Sequence, residues 1–265
     1  MPYFVSRLFK LMKLFFRQQG QGKPLIILHG LLGSSDNWHS LGRLFSENFS
    51  VYLVDQRNHG QSPHSDEINY KLMTEDLEDF IKENKIEKAH IIGHSMGGKT
   101  AMNFAVKNPG LVDKLIVVDI VPKYYVVRHD RLIEGMKAVP LNEITTRQEA
   151  EVILSGYEPD PVVRQFLLKN LTRNDEMKFV WRPNLYAIDN HLDEIGEGMV
   201  FPGTFDGESL FINGRRSSYY SDGDDQLIRK IFTRAQFATL ETGHWVQAEN
   251  PQEFARTVLQ FLNGK

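Results

Sequence analysis

The sequence predicts an α/β protein: a mostly parallel central sheet with helices on both faces and a helical cap inserted between two of its strands. Three observations predict it. Short, continuous apolar runs such as Pro24–Leu28 read as strands buried on both faces, the mark of a parallel sheet. These runs alternate with stretches of helical apolar spacing, as βα units do. The alternation then fails from about residue 123 to about residue 205, a length too great for a simple crossover.

In chain order, Met12–Phe16 is the expected start of a first strand and Pro24–Leu28 is the next. A helix follows, patterned by Trp38, Leu41, Leu44 and Phe45, then a strand at Val51–Val54. The loop Asp55–Ser62 leads to a helix with Met73, Leu77, Phe80 and Ile81 on one face. Ala89–Ile92 is a strand, Lys99–Lys107 a helix, and Lys114–Val118 a strand. Within the insertion four helical patterns stand out: Arg131–Met136, Arg147–Leu154, Val162–Lys169 and Asn184–Ile195. Ser209–Asn213 is a strand, and a helix opens near Asp222–Asp225. A late strand ending at Thr239-Leu240 precedes the last helix. Asn250-Pro251-Gln252-Glu253 opens that helix with a cap, an N1 proline and a capping-box glutamate. The expected division is 1–122 with 206–265 as the main body and 123–205 as the cap.

Composition sets bounds. A chain of 265 residues is long enough for one large core. Hydrophobic content of 41% and charged content of 25% are those of an ordinary globular protein. A net charge of −3 gives no reason to expect nucleic acid or an anionic membrane as partner. The chain has no cysteine, so disulfides, thiolate zinc sites and thiol nucleophiles are excluded, and a cytoplasmic location is expected. Arg7, Lys10 and Lys13 interrupt every apolar run near the N-terminus, so residues 1–11 read as an extension rather than a targeting signal, and no span approaches membrane-crossing length.

The most informative motif is Gly93-His94-Ser95-Met96-Gly97, set between an expected strand and an expected helix. A serine at the apex of such a turn is held in a strained conformation with its hydroxyl lifted clear of the sheet, as a nucleophile needs. A plain Gly/Ser turn would carry the same pattern, so partner groups decide. An oxyanion site is expected after the Pro24–Leu28 strand, at His29-Gly30-Leu31-Leu32-Gly33. Its donors would be the Leu31 and Met96 amides, aided by the N-terminus of the helix after Ser95. His29 reads as structural rather than catalytic, at the edge of the substrate site. The base is expected to be His244, on the loop after the last strand, because imidazole shuttles protons near neutrality. For the acid, Asp119 at the end of the Lys114–Val118 strand is favoured. Asp222 and a purely structural Asp119 remain alternatives, and Ser217 occupies the position after Ser209–Asn213 where an aspartate is often found. Phe166, Leu167, Phe179, Trp181 and Trp245 are candidates to line a pocket, and Arg215 and Arg216 to contact an anionic substrate group.

These segments occur in a telling order: His29-Gly30-Leu31, Asp55–Ser62, Gly93–Lys99, Asp119-Ile120-Val121-Pro122 and Gly243-His244-Trp245. Together they resemble the α/β-hydrolase serine esterases of the YbfF type, among them the mammalian α/β-hydrolase domain-containing protein 11. Phe179–Leu185 and His191-Leu192-Asp193 resemble the cap of the latter. The resemblance runs from about Lys13 onward. It implies the α/β-hydrolase fold and an acid after the strand that ends at Val118. It also implies hydrolysis of short-to-medium acyl esters, acyl-CoA thioesters included, through an acyl-enzyme on Ser95. Tyr186 stands where some relatives carry an aspartate in the cap, so that position supplies no acid here. The expected partner is a small-molecule ester or thioester, with no cofactor and no metal. The same scaffold supports carbon–carbon bond hydrolases, perhydrolases and slow-turnover ligand receptors, which stay open as alternatives.

Overall fold

A computed structural model describes residues 12–127 and 130–264; residues 1–11, read above as an extension, lie outside them. Strand β1 (Phe16–Gln19) begins where the Met12–Phe16 run ends, not within it. Strands β2 (Lys23–Leu28) and β3 (Phe49–Val54) follow, separated by a 3-10 turn at Ser35–Trp38 and helix α1 (His39–Phe45). Then come α2 (Tyr70–Glu83), β4 (Ala89–His94), α3 (Met96–Lys107) and β5 (Val112–Val118). Helices α4 (Asp130–Ala138), α5 (Arg147–Leu154) and α6 (Pro161–Leu168) precede strands β6 (Leu171–Arg173) and β7 (Phe179–Trp181). Helices α7 (Leu185–Asn190) and α8 (Leu192–Gly196) lead to β8 (Phe205–Gly214), α9 (Asp224–Ile231), β9 (Phe232–Leu240), α10 (Val246–Glu249) and α11 (Pro251–Leu262).

The central sheet has seven strands in the order β1-β3-β2-β4-β5-β8-β9. Only β1 runs antiparallel to its neighbour; the other pairs are parallel. Successive residues of each inner strand serve opposite faces. Ile26 and Leu28 join Ile91, Leu115 and Val117 on the face covered by α2 and α3. Leu25 and Ile27 join Ile92, Ile116 and Val118 on the face covered by α1 and α11. Both alternate sets are apolar because both faces are buried, which is why the strands read as unbroken apolar runs.

The segment between β5 and β8 builds a third cluster from Ile133, Met136, Leu154, Leu167 and Ile188, and it meets Tyr70, Met73 and Met96 of the main body there. The single helix expected over Asn184–Ile195 is two helices, because the chain turns at His191 with φ −126°. The β6–β7 hairpin was not expected, since strands of three residues are too short to show alternation.

Candidate active site

Ser95 stands between β4 and α3 with φ 53° and ψ −118°, a region costly for a non-glycine residue by about 1–3 kcal/mol. The flanking glycines make that turn possible. A Cβ on Gly93 would strike the Gly97 carbonyl, and one on Gly97 would lie 2.5 Å from the carbonyl oxygens of both Leu28 and His29. Ser95 N–H donates to Val118 O at 3.0 Å, which ties the turn to the end of β5.

The three side chains singled out in the sequence meet. His244 Nε2 lies 3.2 Å from Ser95 Oγ, and His244 Nδ1 lies 2.7 Å from Asp119 Oδ2. Asp119 follows β5 directly, with φ 50°, and is fully buried. Its Oδ1 accepts from Gly214 N–H at 2.9 Å, and its Oδ2 also accepts from the Ser217 hydroxyl. Each carboxylate oxygen therefore faces donors. The Tyr219 ring stacks on the His244 ring at 4.1 Å and 19°. Neither the Ser217 contact nor the Tyr219 stack was expected from the sequence, since both bridge loops far apart in the chain. Asp222 is exposed, in the turn before α9.

His94 supports the base from the other side. Its Nε2 donates to His244 O at 2.9 Å, and the two rings lie 4.8 Å apart. Burial lowers its pKa to about 3, so it stays neutral and adds no charge beside a protonated His244.

The loop Gly30–Gly33 approaches Ser95 closely: a Cβ on Gly30 would lie 3.3 Å from the Ser95 Cβ. The Leu31 and Met96 amides donate to no acceptor among the described residues. Three polar groups hold the loop. His59 Nε2 accepts from Leu32 N–H at 3.2 Å, Asn170 Nδ2 donates to Leu32 O at 2.7 Å, and Gly33 N–H donates to Gly30 O at 2.9 Å. His29 is part of this brace. Its Nε2 accepts from Gln56 N–H at 3.0 Å and its Nδ1 donates to Gly30 O at 2.8 Å. Burial drives the pKa of His29 down to about 4 and that of His59 to about 3, so both remain neutral acceptors. Although His29 borders the cavity, both its ring nitrogens are committed to the protein.

A cavity of about 790 Å³ opens beside Ser95 and His244. Leu31, Leu132, Val162, Val163, Phe166 and Trp245 give it an apolar lining, and the Phe166 and Trp245 rings lie 6.0 Å apart. Trp181, expected in the pocket, does not line it. Its indole Nε1 donates to Met136 O at 2.8 Å, and the ring packs within the insertion's own cluster. Arg215 and Arg216 are paired with Glu241 and Glu249 at the surface. No helix among the described residues is long and apolar enough to cross a membrane.

The family model for the alpha/beta hydrolase fold matches residues 23–158. The chain belongs to that family. This α/β-hydrolase is 38% identical over 256 residues to the zebrafish (Danio rerio) protein named sn-1-specific diacylglycerol lipase ABHD11, covering 93% of this chain and 80% of that one. It is 36% identical over 250 residues to Esterase YbfF of Escherichia coli, covering 93% of this chain and 96% of that one. A solved structure described as a marine microorganism esterase superposes with a TM-score of 0.92 at 42% identity, over 94% of this chain and 99% of that chain. An enolic-lactone hydrolase from Burkholderia xenovorans, at 18% identity and a TM-score of 0.75, shares the fold. With such relatives the α/β-hydrolase is a hydrolytic enzyme of esterase and lipase type.

Proposed function

We propose that the enzyme hydrolyses short-to-medium acyl esters, and thioesters of the same acyl groups, by two-step acyl transfer through Ser95. Ser95 Oγ attacks the carbonyl carbon while His244 Nε2 takes its proton. Asp119 holds the His244 Nδ1–H tautomer and stabilises the imidazolium that forms. The carbonyl oxygen, now an oxyanion, is received by the Leu31 and Met96 amides, with the positive end of α3 behind them. The tetrahedral intermediate then collapses, and the alcohol or thiol leaves with the proton from His244. Water repeats the sequence on the acyl-enzyme and frees the acid. Residues 123–205 act as a cap, with α6 and Leu132 supplying one wall of the acyl pocket.

The observation that carries the reading is the His244 ring held between Ser95 Oγ and Asp119 Oδ2 at hydrogen-bonding distances of 3.2 and 2.7 Å. The cavity of about 790 Å³ is within the range of small-molecule sites, and its apolar lining suits an acyl chain. Hydrolysis of p-nitrophenyl acetate tests the reading. Ser95→Ala is expected to lower kcat by a factor on the order of 10⁴ or more; turnover near that of the unaltered enzyme would remove Ser95 from its role.

A further inference from the structure

The turn that carries the Leu31 amide is held by a residue from the insertion. Asn170, just past the end of α6, is 3% exposed. Its Nδ2 donates to Leu32 O at 2.7 Å. A carbonyl oxygen can only accept, so the NH₂ end of the carboxamide must face it.

That bond is the first of a series. A trans peptide is planar, and its C=O and N–H point in opposite directions. Leu32 C=O and Gly33 N–H share one peptide, and Gly33 N–H donates to Gly30 O at 2.9 Å. Gly30 C=O and Leu31 N–H share another, and Leu31 N–H donates to no acceptor among the described residues. Holding Leu32 O therefore orients the first peptide, and the first orients the second. Bonds joined in this way also polarise one another, so a donor at one end strengthens the donor at the other. The turn does not keep this shape by its own preference. Leu32 has φ 56°, at a turn position that glycine usually fills. His59 secures the Leu32 N–H at 3.2 Å. Leu32 also shares an apolar cluster with Leu167 and Leu168 of α6, the helix that ends beside Asn170.

We infer that Asn170 is a positioning residue of the oxyanion site, through which the insertion aims the Leu31 N–H at the developing negative charge. The role rests on the Ser95-centred hydrolysis proposed above, with the Leu31 amide as one oxyanion donor. Asn170 touches neither substrate nor Ser95. It acts through two peptides in series, and its effect falls on the transition state, where the charge appears.

The test pairs p-nitrophenyl acetate turnover with the inhibition constant of hexyl trifluoromethyl ketone. Ser95 Oγ adds to the ketone carbon, the carbon–oxygen π pair moves onto the oxygen, and the Ser95 proton passes to His244. The adduct thus places an oxyanion where the transition state has one. Asn170→Ala and Asn170→Asp are each expected to lower kcat about tenfold without raising KM, and to raise the inhibition constant by a similar factor. Asn170→Asp keeps the size of the side chain and, ionised, offers no donor. The inhibition constant does not depend on how much enzyme is folded, so mere destabilisation leaves it unmoved. Tyr70→Phe removes a bond that fastens the insertion elsewhere, to Ile195 O, and is expected to leave kcat and the inhibition constant within about twofold. An unchanged inhibition constant in either Asn170 variant overturns the inference, and so does an equal rise in Tyr70→Phe. Inhibition of the unaltered enzyme, absent in Ser95→Ala, reports separately on the Ser95 reading. Where that holds and the Asn170 variants bind the ketone unchanged, the hydrolysis stands and only the role of Asn170 falls.

Discussion

The last four residues of β5 are buried in apolar company on both faces of the sheet, whereas the chain returning from the insertion is fastened by polar side chains. Tyr70 Oη donates to Ile195 O at 2.7 Å, and Lys99 Nζ donates to Gly196 O at 2.7 Å and to Glu197 O. Asn103 Oδ1 accepts from Val200 N–H at 2.8 Å. Close apolar packing has one low-energy solution and resists displacement. A few directional bonds to loop backbone fix a position but leave the segment's own sequence free to vary, since carbonyl and amide groups are common to every residue. The proposed chemistry stands on the first kind of support: Ser95, Asp119 and His244 all follow strands of the central sheet. Part of the pocket comes from the segment that those polar bonds close, through Leu132 on α4 and Val162, Val163 and Phe166 on α6. On the proposed mechanism the reacting residues stand on the sheet, and the segment between β5 and β8 supplies part of the pocket wall.

Substitutions on the two sides should therefore fail differently. Asp119→Asn is the severest test on the sheet side. Whichever way the new amide points, its NH₂ faces a donor: Gly214 N–H on one side, or Ser217 Oγ–H and His244 Nδ1–H on the other. A loss in kcat on the order of 10³–10⁴ is expected, with Asp222→Asn within about twofold of the unaltered enzyme. The reverse order would reassign the acid. On the insertion side, Phe166→Ala is expected to lower kcat/KM about tenfold for octanoyl esters, by loss of apolar contact, while acetyl esters are spared. An equal loss on both esters would place Phe166 outside the acyl site.

Lys99 joins the two regions, and its effect is read in stability rather than in turnover. Burial beneath Tyr70 and Tyr125 lowers its pKa from 10.5 to about 7. Between those values the unfolded chain binds a proton that the native state lacks, so Lys99 makes stability rise with pH across that window. Melting curves of the unaltered protein and Lys99→Met, taken from pH 7 to pH 10, are expected to show the unaltered protein gaining stability relative to the variant as pH rises. A constant difference would mean that Lys99 stays charged where it is.

What could be read in the sequence divides along the same line. The strands of the sheet were legible because burial on both faces forces continuous apolar runs. Ser95 and His244 were legible because a strained turn demands glycines at fixed offsets and because His244 follows the last strand. Asp119 was legible as a carboxylate at the end of a buried strand. The supports were not: Ser217 is 98 residues from Asp119 and Asn170 is 138 from Leu32, and side-chain bonds between distant loops leave no local pattern. Trp181 was misplaced for a related reason. Aromatic residues at helical or strand spacing mark an apolar surface without saying which one, and this ring serves the insertion's own core.

The most direct measurement is covalent labelling with a fluorophosphonate, read by intact mass and peptide mapping. A single adduct is expected, on Ser95, with loss of ester hydrolysis in proportion to its formation. Hydrolysis that persists in fully labelled enzyme, or an adduct on another residue with Ser95 unmodified, would contradict it.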